Sequence, residues 1–500
     1  MKYNKIAIYY PPMIKNGEYP LLTQNRQFKF SKSKEIRIYP VIMSTLATML
    51  SKREYEVLFL DGVNQRRTDE KCEQILSDFR PDCIILETKA PLFNQHLQLA
   101  RELKDKFQPL IIFCGDHVSF FPEDAVKNDA IDYAVVSGYY DFIITELVEY
   151  LNGKLDKIPS GVFYKEGGQI KGGDKIEDYN LDDAPLINRD LTIWNLYGEA
   201  YLYKPAAYIL SGRGCGGSAV IVENHRSLTP GKCSFCIWQY ALWNTTAKLR
   251  SPFAVADEIE LLVKKYKVKE IFDDNESGAI WDEEWLNIFY NELVKRKLKG
   301  KFSLSSNARA DALTEKRVKL LKQIGYRLLK VGLESANDTT LSKIQKDENF
   351  SQIEKGIMNA KKEGLAVLMT TMVGYPWENE NDADKTYNAT KKLMLYKTHF
   401  GDSLQSSIVV PYPGTPLYNY ACKNNLFTKD AEDFRNYDMS HNILKADIDV
   451  AKWCRKMWRI HLHPLFMLKS LLTIRKIEDI RLAWTGVISL IGHLSDYERE

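Results

Sequence analysis

At 500 residues the chain is longer than one hydrophobic core usually organises, so two or three domains are expected from size alone. Its 69 Lys and Arg nearly balance its 66 Asp and Glu, and a net charge of +3 gives no general electrostatic reason for a nucleic-acid partner. The 45% of hydrophobic residues is ordinary for a globular protein and excludes wholesale disorder.

The amino terminus, MKYNKIAIYYPP, has one short apolar stretch cut by a Pro pair and lacks the long apolar region and cleavage site of a secretory signal. Cytoplasmic residence is therefore the expectation. No run reaches the roughly 18 apolar residues of a spanning helix, so no transmembrane segment is predicted. KIAIYY (5–10), EVLFLD (56–61), DCIILE (82–87), LIIFCGD (110–116) and DYAVVSG (132–138) read as buried strands, with amphipathic helices at 41–52, 69–79 and 94–106. This alternation predicts an α/β domain over 1–150 with a Rossmann-like, doubly wound parallel sheet. Ligands of such sheets bind beyond the strands' carboxyl ends, which gathers Pro11, Asp61, Thr88 and the Gly115-Asp116-His117 loop around one crevice. Residues 151–204, rich in Gly, Pro and Asp, read as a small hairpin and a linker.

A second βα series runs through AAYILSG, KEIFDDN, KFSLSSN, LLKVGLES, LAVLMTTMVGYP and SLQSSIVVPYP, with helices between. Six such units predict a partial (β/α)6 barrel over 205–427, with its chemistry at the strands' carboxyl ends. Residues 428–500 are predicted to be a helical C-terminal cap or lid. Within it, 465–494 read as two short amphipathic helices, with Leu468, Leu471, Leu472, Trp484, Val487 and Ile488 among Lys469, Arg475 and Lys476. Two readings stay open: a helix packed on its own domain, or an interfacial helix that brings the active site to a lipid or other long apolar substrate. His461 and His463, beside Pro464, read as structural.

Five of the eight cysteines (Cys72, Cys83, Cys114, Cys422 and Cys454) stand singly and read as small core hydrophobes. Cys215, Cys233 and Cys236 instead share one stretch, SGRGCGGSAVIVENHRSLTPGKCSFCIW. In a reducing compartment clustered cysteines indicate metal rather than a disulfide. Soft thiolates suit an iron-sulfur cluster or zinc, but zinc wants a fourth Cys or His at comparable spacing, and the chain has no second Cys pair. Three thiolates on a 4Fe-4S cluster leave one iron open to a substrate or cofactor.

At these residues the sequence resembles the radical S-adenosylmethionine (SAM) superfamily, over about 205–425. Ser-Gly-Arg-Gly-Cys215 and Cys233-Ser-Phe-Cys236 match the two ends of the family signature Cys-x3-Cys-x-aromatic-Cys. Residues 216–232, seventeen positions, stand where the family has three. An insertion in the cluster loop keeps all three cysteines as ligands; the alternative is that His225 or Glu223 replaces Cys215. The resemblance implies that Asp273, Asp274 and Asn275 meet the methionine amino group of SAM, Asn307 and Arg309 its carboxylate or ribose, and Phe235 its adenine. Glu334 and Ser335 match the family's fourth-strand ending. It further implies that a reduced 4Fe-4S cluster, fed by a donor such as flavodoxin or ferredoxin, cleaves SAM to a 5'-deoxyadenosyl radical.

The first domain resembles the cobalamin-binding domain fused to such barrels. CGDHVSFFPED matches its Gly-Gly-Pro-His-Val-Thr loop and VVSGYYD its glycine turn, which implies cobalamin contacts at Gly115, His117 and Gly138. The Asp-x-His-x-x-Gly motif that gives cobalt a histidine is absent, since Asp61-Gly62-Val63-Asn64 carries none. Bound cobalamin would then lack a protein imidazole; a domain of this fold without cofactor is the other reading. The architecture implies cobalamin-dependent methylation of an unactivated carbon. Radical cyclisation or another carbon-skeleton change is the alternative, and a non-catalytic binding protein on a disabled scaffold is a third. Methylthiolation of tRNA is disfavoured, because that group carries a cysteine-rich N-terminal domain. Substrate contacts come from loops and cap, so small-molecule, peptide and lipid substrates all stay open.

Overall fold

The computed structural model describes residues 2–22, 28–31, 36–174, 176–222, 225–230, 232–243, 247–275 and 278–496; for 217–222, 225–230, 278 and 491–496 the description is of the backbone alone. In the first domain, Lys5–Tyr10 lies between Glu56–Asp61 and Cys83–Glu87, and Leu110–Cys114 and Tyr133–Val135 follow outward, all parallel. Alternate residues of each strand enter different cores. Ile6, Ile8, Ile85 and Ile112 join one with the helices Val41–Lys52 and Tyr140–Leu151, while Ala7, Ile84, Ile111 and Phe113 join another with Asp69–Phe79 and Phe93–Phe107. Helices thus cover both faces, which is why these strands are apolar throughout. The order of strands reverses between Lys5–Tyr10 and Cys83–Glu87, the place where such sheets open a ligand crevice. The predicted hairpin exists as Val162–Glu166 and Gln169–Lys171. It does not stand free in the linker, because Val162–Glu166 pairs antiparallel with Tyr133–Val135 and extends the first sheet.

The second sheet has six parallel strands in sequential order: Ala206–Ile209, Glu270–Asp273, Ser303–Ala308, Tyr326–Glu334, Ala366–Val373 and Ser403–Ile408. Helices that follow its strands start at Ser251, Asp282, Thr314, Asn349, Asn379 and Thr415, each of whose side chains accepts a backbone N–H of the first turn. This is the partial (β/α)6 barrel expected of the sequence. The inserted residues form an antiparallel pair, Gly216–Val222 with His225–Pro230, in which Gly216 faces Pro230. The chain is thereby returned to where it left.

At the C-terminus, Val450–Trp458 packs along the last strand, with Trp458 Nε1 donating to Ser406 O at 3.1 Å. His461 is structural, as expected: its Nε2 accepts from Leu404 N (3.1 Å), which leaves Nδ1–H to donate to Trp458 O (2.9 Å). Pro464–Leu472 and Ile477–Asp496 follow, one short and one of 20 residues rather than two short helices. They rest on the amino-terminal side of the barrel. Glu478 pairs with Lys269 (2.8 Å), Asp479 accepts from Tyr203 Oη, and Thr485 donates to Ala200 O (3.2 Å), all three partners preceding a strand. A cap it is, but not a lid over the strands' carboxyl ends.

Candidate functional site

Cys215, Cys233 and Cys236 stand beyond the carboxyl end of the first barrel strand, half-buried, and none is in a disulfide. The Cys233-Ser-Phe-Cys236 turn is stitched to two other units, with Ser234 N donating to Ile344 O (2.8 Å) and Ser234 O accepting from Leu417 N (3.0 Å). Cys236 precedes the helix Ile237–Ala241, and from that helix Gln239 Oε1 accepts from Cys215 N (3.0 Å). The thiols of Cys215 and Cys236 lie within electrostatic reach of Cys233. Burial pushes the Cys233 thiol up to about 12, and Lys346 and Arg309 pull the other way. Thiols converging beside two cations are a set ready to bind metal as thiolates. Among the described residues no group of His, Cys, Asp or Glu gathers around one metal-ion position. The donor set, three soft thiols, is the chemistry that an iron-sulfur cluster takes. Of the alternative ligands, Glu223 lies outside the described residues, and so does the His225 side chain.

Around the cysteines two polar networks close the barrel mouth. In the first, Asp273 accepts from Ser211 N (2.9 Å) and Oγ (2.5 Å), and Asn275 Nδ2 donates to the same hydroxyl (3.2 Å). Asn307 Nδ2 donates to Asp274 Oδ1 and Asn275 O, both at 3.0 Å. Burial pushes the Asp273 carboxyl up to about 6 despite these bonds. In the second, Lys346 Nζ stands 3.5 Å from both Glu334 and Glu348, while Arg309 binds Asp311 (2.8 Å) and Lys346 O (3.0 Å). Glu334 has φ 60°, and a Cβ on Gly332 would come 2.3 Å from its carboxylate, so a side chain there would displace the Glu334–Lys346 pair. The predicted Asp273, Asp274, Asn275 and Asn307 are thus brought together, as are Arg309 and Glu334. Ser335 is turned aside, its hydroxyl 3.3 Å from Thr386, and Phe235 packs against the barrel core.

The first sheet meets this region with its strand ends. Gly115 (φ 110°) lies so close to Thr88 that a Cβ would be 2.5 Å from its carbonyl oxygen. Lys89 and Asp116 form a buried pair at 2.6 Å, and His117 packs among Phe93, Phe121 and Phe434. Thr88 Oγ1, Asp116 Oδ1 and His117 Nε2 are buried without a hydrogen-bond partner. Asp61 is already engaged by Asn64 (2.7 Å) and Tyr197 (2.6 Å). Gly138 serves the contact between domains: its N–H donates to Leu242 O (2.7 Å), and Trp243 fills the space a Cβ would need. Beside it Arg213, two residues before Cys215, binds Asp141 in bidentate fashion (2.8 and 2.5 Å) and Gly138 O (2.9 Å). Arg213, Asp141, Gln239, Lys346 and Glu348 were not anticipated. For Lys346 and Glu348 the one available signal was a charged Gln-Lys-Asp-Glu segment between two helices.

Residues 229–389 match the model of the radical SAM superfamily. A methyltransferase of Pyrococcus horikoshii described as uncharacterised is 26% identical over 443 residues, 86% of this chain and 90% of that one. An anaerobic magnesium-protoporphyrin IX monomethyl ester cyclase of Rubrivivax gelatinosus is 23% identical, over 82% of this chain and 70% of its own. In fold, the chain superposes on TsrM of Kitasatospora setae, a radical SAM methyltransferase solved with cobalamin and a 4Fe-4S cluster, at a TM-score of 0.66 and 15% identity over 99% of both chains. It also superposes on OxsB, a cobalamin-dependent SAM radical enzyme, at 0.68 and 16%, over 98% of this chain and 72% of that one. The matched span holds Cys233, Cys236 and four of the six barrel strands, and Cys215 and the first strand come just before it, so the chain is similar to radical SAM enzymes in its barrel and its cysteine cluster. Its full-length fold is shared with TsrM, an N-terminal parallel sheet docked on the barrel.

Proposed function

We propose that the chain is a cobalamin-dependent radical SAM methyltransferase acting on an unactivated carbon. One observation carries this reading: the strand ends of the first sheet, with unpartnered Thr88 Oγ1, Asp116 Oδ1 and His117 Nε2, dock directly beside the cysteine segment. Buried polar atoms want partners, and three of them at the carboxyl ends of a doubly wound sheet suit a large ligand rich in amides, as a corrin is. The full-length likeness in fold to TsrM and the similarity to a methyltransferase support it.

When bound, the reduced cluster supplies the electron that cleaves SAM, and cobalamin supplies the methyl carrier. Cys215, Cys233 and Cys236 hold the cluster. Asp273, Asp274, Asn275, Asn307, Arg309 and Glu334 line the side where SAM is oriented, with Phe235 against its adenine. Gly115 and His117 belong to the cobalamin side, while Gly138 is taken up by the contact with Leu242 and Trp243. A flavodoxin- or ferredoxin-like protein delivers the electron.

The test is anoxic purification followed by assay of iron, sulfide and cobalamin, then reduction in the presence of SAM. The expected result is both cofactors, 5'-deoxyadenosine, and, with no substrate to take the methyl group on, at most about one S-adenosylhomocysteine per bound cobalamin. Absence of cobalamin in protein with an intact cluster would retire the methyltransferase reading. Similarity to the Rubrivivax cyclase favours one second reading, a carbon-skeleton change, and 5'-deoxyadenosine without S-adenosylhomocysteine would select it.

A further inference from the structure

The two C-terminal helices leave an apolar face uncovered. Of the seventeen large apolar side chains that stand exposed among the described residues, eleven lie between 462 and 488. Single exposed apolar side chains are ordinary, but a concentration on one element is not. Pro464–Leu472 buries only Phe466. In the longer helix Ile477, Ile480, Trp484 and Ile488 repeat at helical spacing along one stripe, with Ile477 72% and Trp484 69% exposed. Leu472, 66% exposed, ends the shorter helix five residues before Ile477.

Charge decides what the face suits. Residues 459–488 hold five basic side chains and two acids. Both acids are already engaged: Asp479 is buried against Tyr203 and caps the turn through the N–H groups of Arg475 and Lys476, and the half-buried Glu478 is paired with Lys269. Arg475, Lys476 and Arg481 are exposed and form no ion pair among the described residues. An apolar stripe edged by uncompensated cations complements a surface that is greasy within and uniformly anionic at its rim.

We propose that this face docks the enzyme on an anionic lipid bilayer. The apolar side chains enter the boundary between headgroups and acyl chains, Trp484 lies at that level, and Arg475, Lys476 and Arg481 meet lipid phosphates. No helix of the described residues is long and apolar enough to cross a membrane, so the contact is peripheral. The helices rest on residues that precede barrel strands, whereas the cysteines stand beyond the strands' opposite ends. Docking therefore tethers the enzyme with its active-site mouth turned away from the bilayer, and the face is not a route for drawing substrate out of it.

The experiment is flotation of the full, anoxically purified holoenzyme with phosphatidylcholine vesicles, with and without phosphatidylglycerol. The protein is expected to float with anionic vesicles at low salt and to be released in part at high salt. The double substitution Leu472→Ser with Trp484→Ser is expected to lower partitioning about tenfold or more while iron content stays unchanged. Brominated acyl chains are expected to quench the protein's fluorescence, and Trp484→Phe to remove that quenching. Failure to float with anionic vesicles at low salt would overturn the proposal. So would a concentration-dependent dimer in sedimentation that Trp484→Ser abolishes, which would make the face an interface between copies.

Discussion

Glu378 follows the fifth barrel strand, with Oε2 accepting from Gly374 N (3.1 Å) and Tyr375 N (3.2 Å). Burial nevertheless pushes its carboxyl up to about 7 from the ordinary 4.5. With the folded value above the unfolded one, the folded state holds the proton longer, so this group's contribution is complete below about pH 4.5 and is lost as pH rises through about 7. Glu378→Gln keeps an oxygen acceptor and removes the titration, so between about pH 5 and about pH 8 it is expected to gain roughly 3 kcal/mol relative to the parent. Urea denaturation of both proteins at the two pH values measures it, and an unchanged difference would mean that Glu378 titrates normally. At the cysteines, replacing Cys215, Cys233 or Cys236 by Ala is expected to abolish iron-sulfur absorbance and SAM cleavage together. A Cys215→Ala protein that keeps its full cluster would move the third ligand to His225 or Glu223. The cysteines were legible because soft ligands at short spacing have few other uses. Arg213 with Asp141 was not, since the pair is local in space and 72 residues apart in sequence.

The βα series was read at the scale of elements, because strands buried on both faces leave continuous apolar runs and the polar helix starts mark the turns between them. Less was visible where pairing partners are distant. The hairpin at 162–171 shows its turn glycines, but not the strand of the first sheet that it joins. The insertion of 216–232 reads as a disruption of the cysteine spacing, yet the Gly216–Pro230 pairing closes its base, so seventeen residues in place of three leave both ends of the motif side by side. The last helix shows its apolar stripe in sequence, and not that the stripe stays uncovered. Gly138 illustrates the same limit: the glycine turn was evident, while the indole seated against it is 105 positions away in the chain. A Cβ there would fall 2.1 Å from the Trp243 ring, so Gly138→Ala is expected to cost about 3 kcal/mol through displaced packing. Thermal denaturation of that variant measures the loss, and an unshifted midpoint would show that Trp243 gives way freely.

At the scale of the molecule, two features of the first sheet bear on the site. Its strand ends face the cysteine segment, and its core does not stop at the domain boundary. Ile6, Ile8 and Ile85 belong to one apolar cluster with Ile237, Trp238, Leu242 and Trp243 from just beyond the cysteines, and with Tyr412 and Tyr437 from the far end of the barrel. Domain boundaries drawn along the sequence do not reveal such sharing, because each segment reads as complete in itself. Shared interior changes what evolution and engineering can do with the parts. A barrel released from its first 200 residues would lose part of the cover on two tryptophans and two tyrosines, and a first domain released from the barrel would lose the same surface from its side. The two domains are therefore expected to unfold as one cooperative unit. Recombination of this barrel with another amino-terminal module would have to rebuild that common interior before it could alter the chemistry.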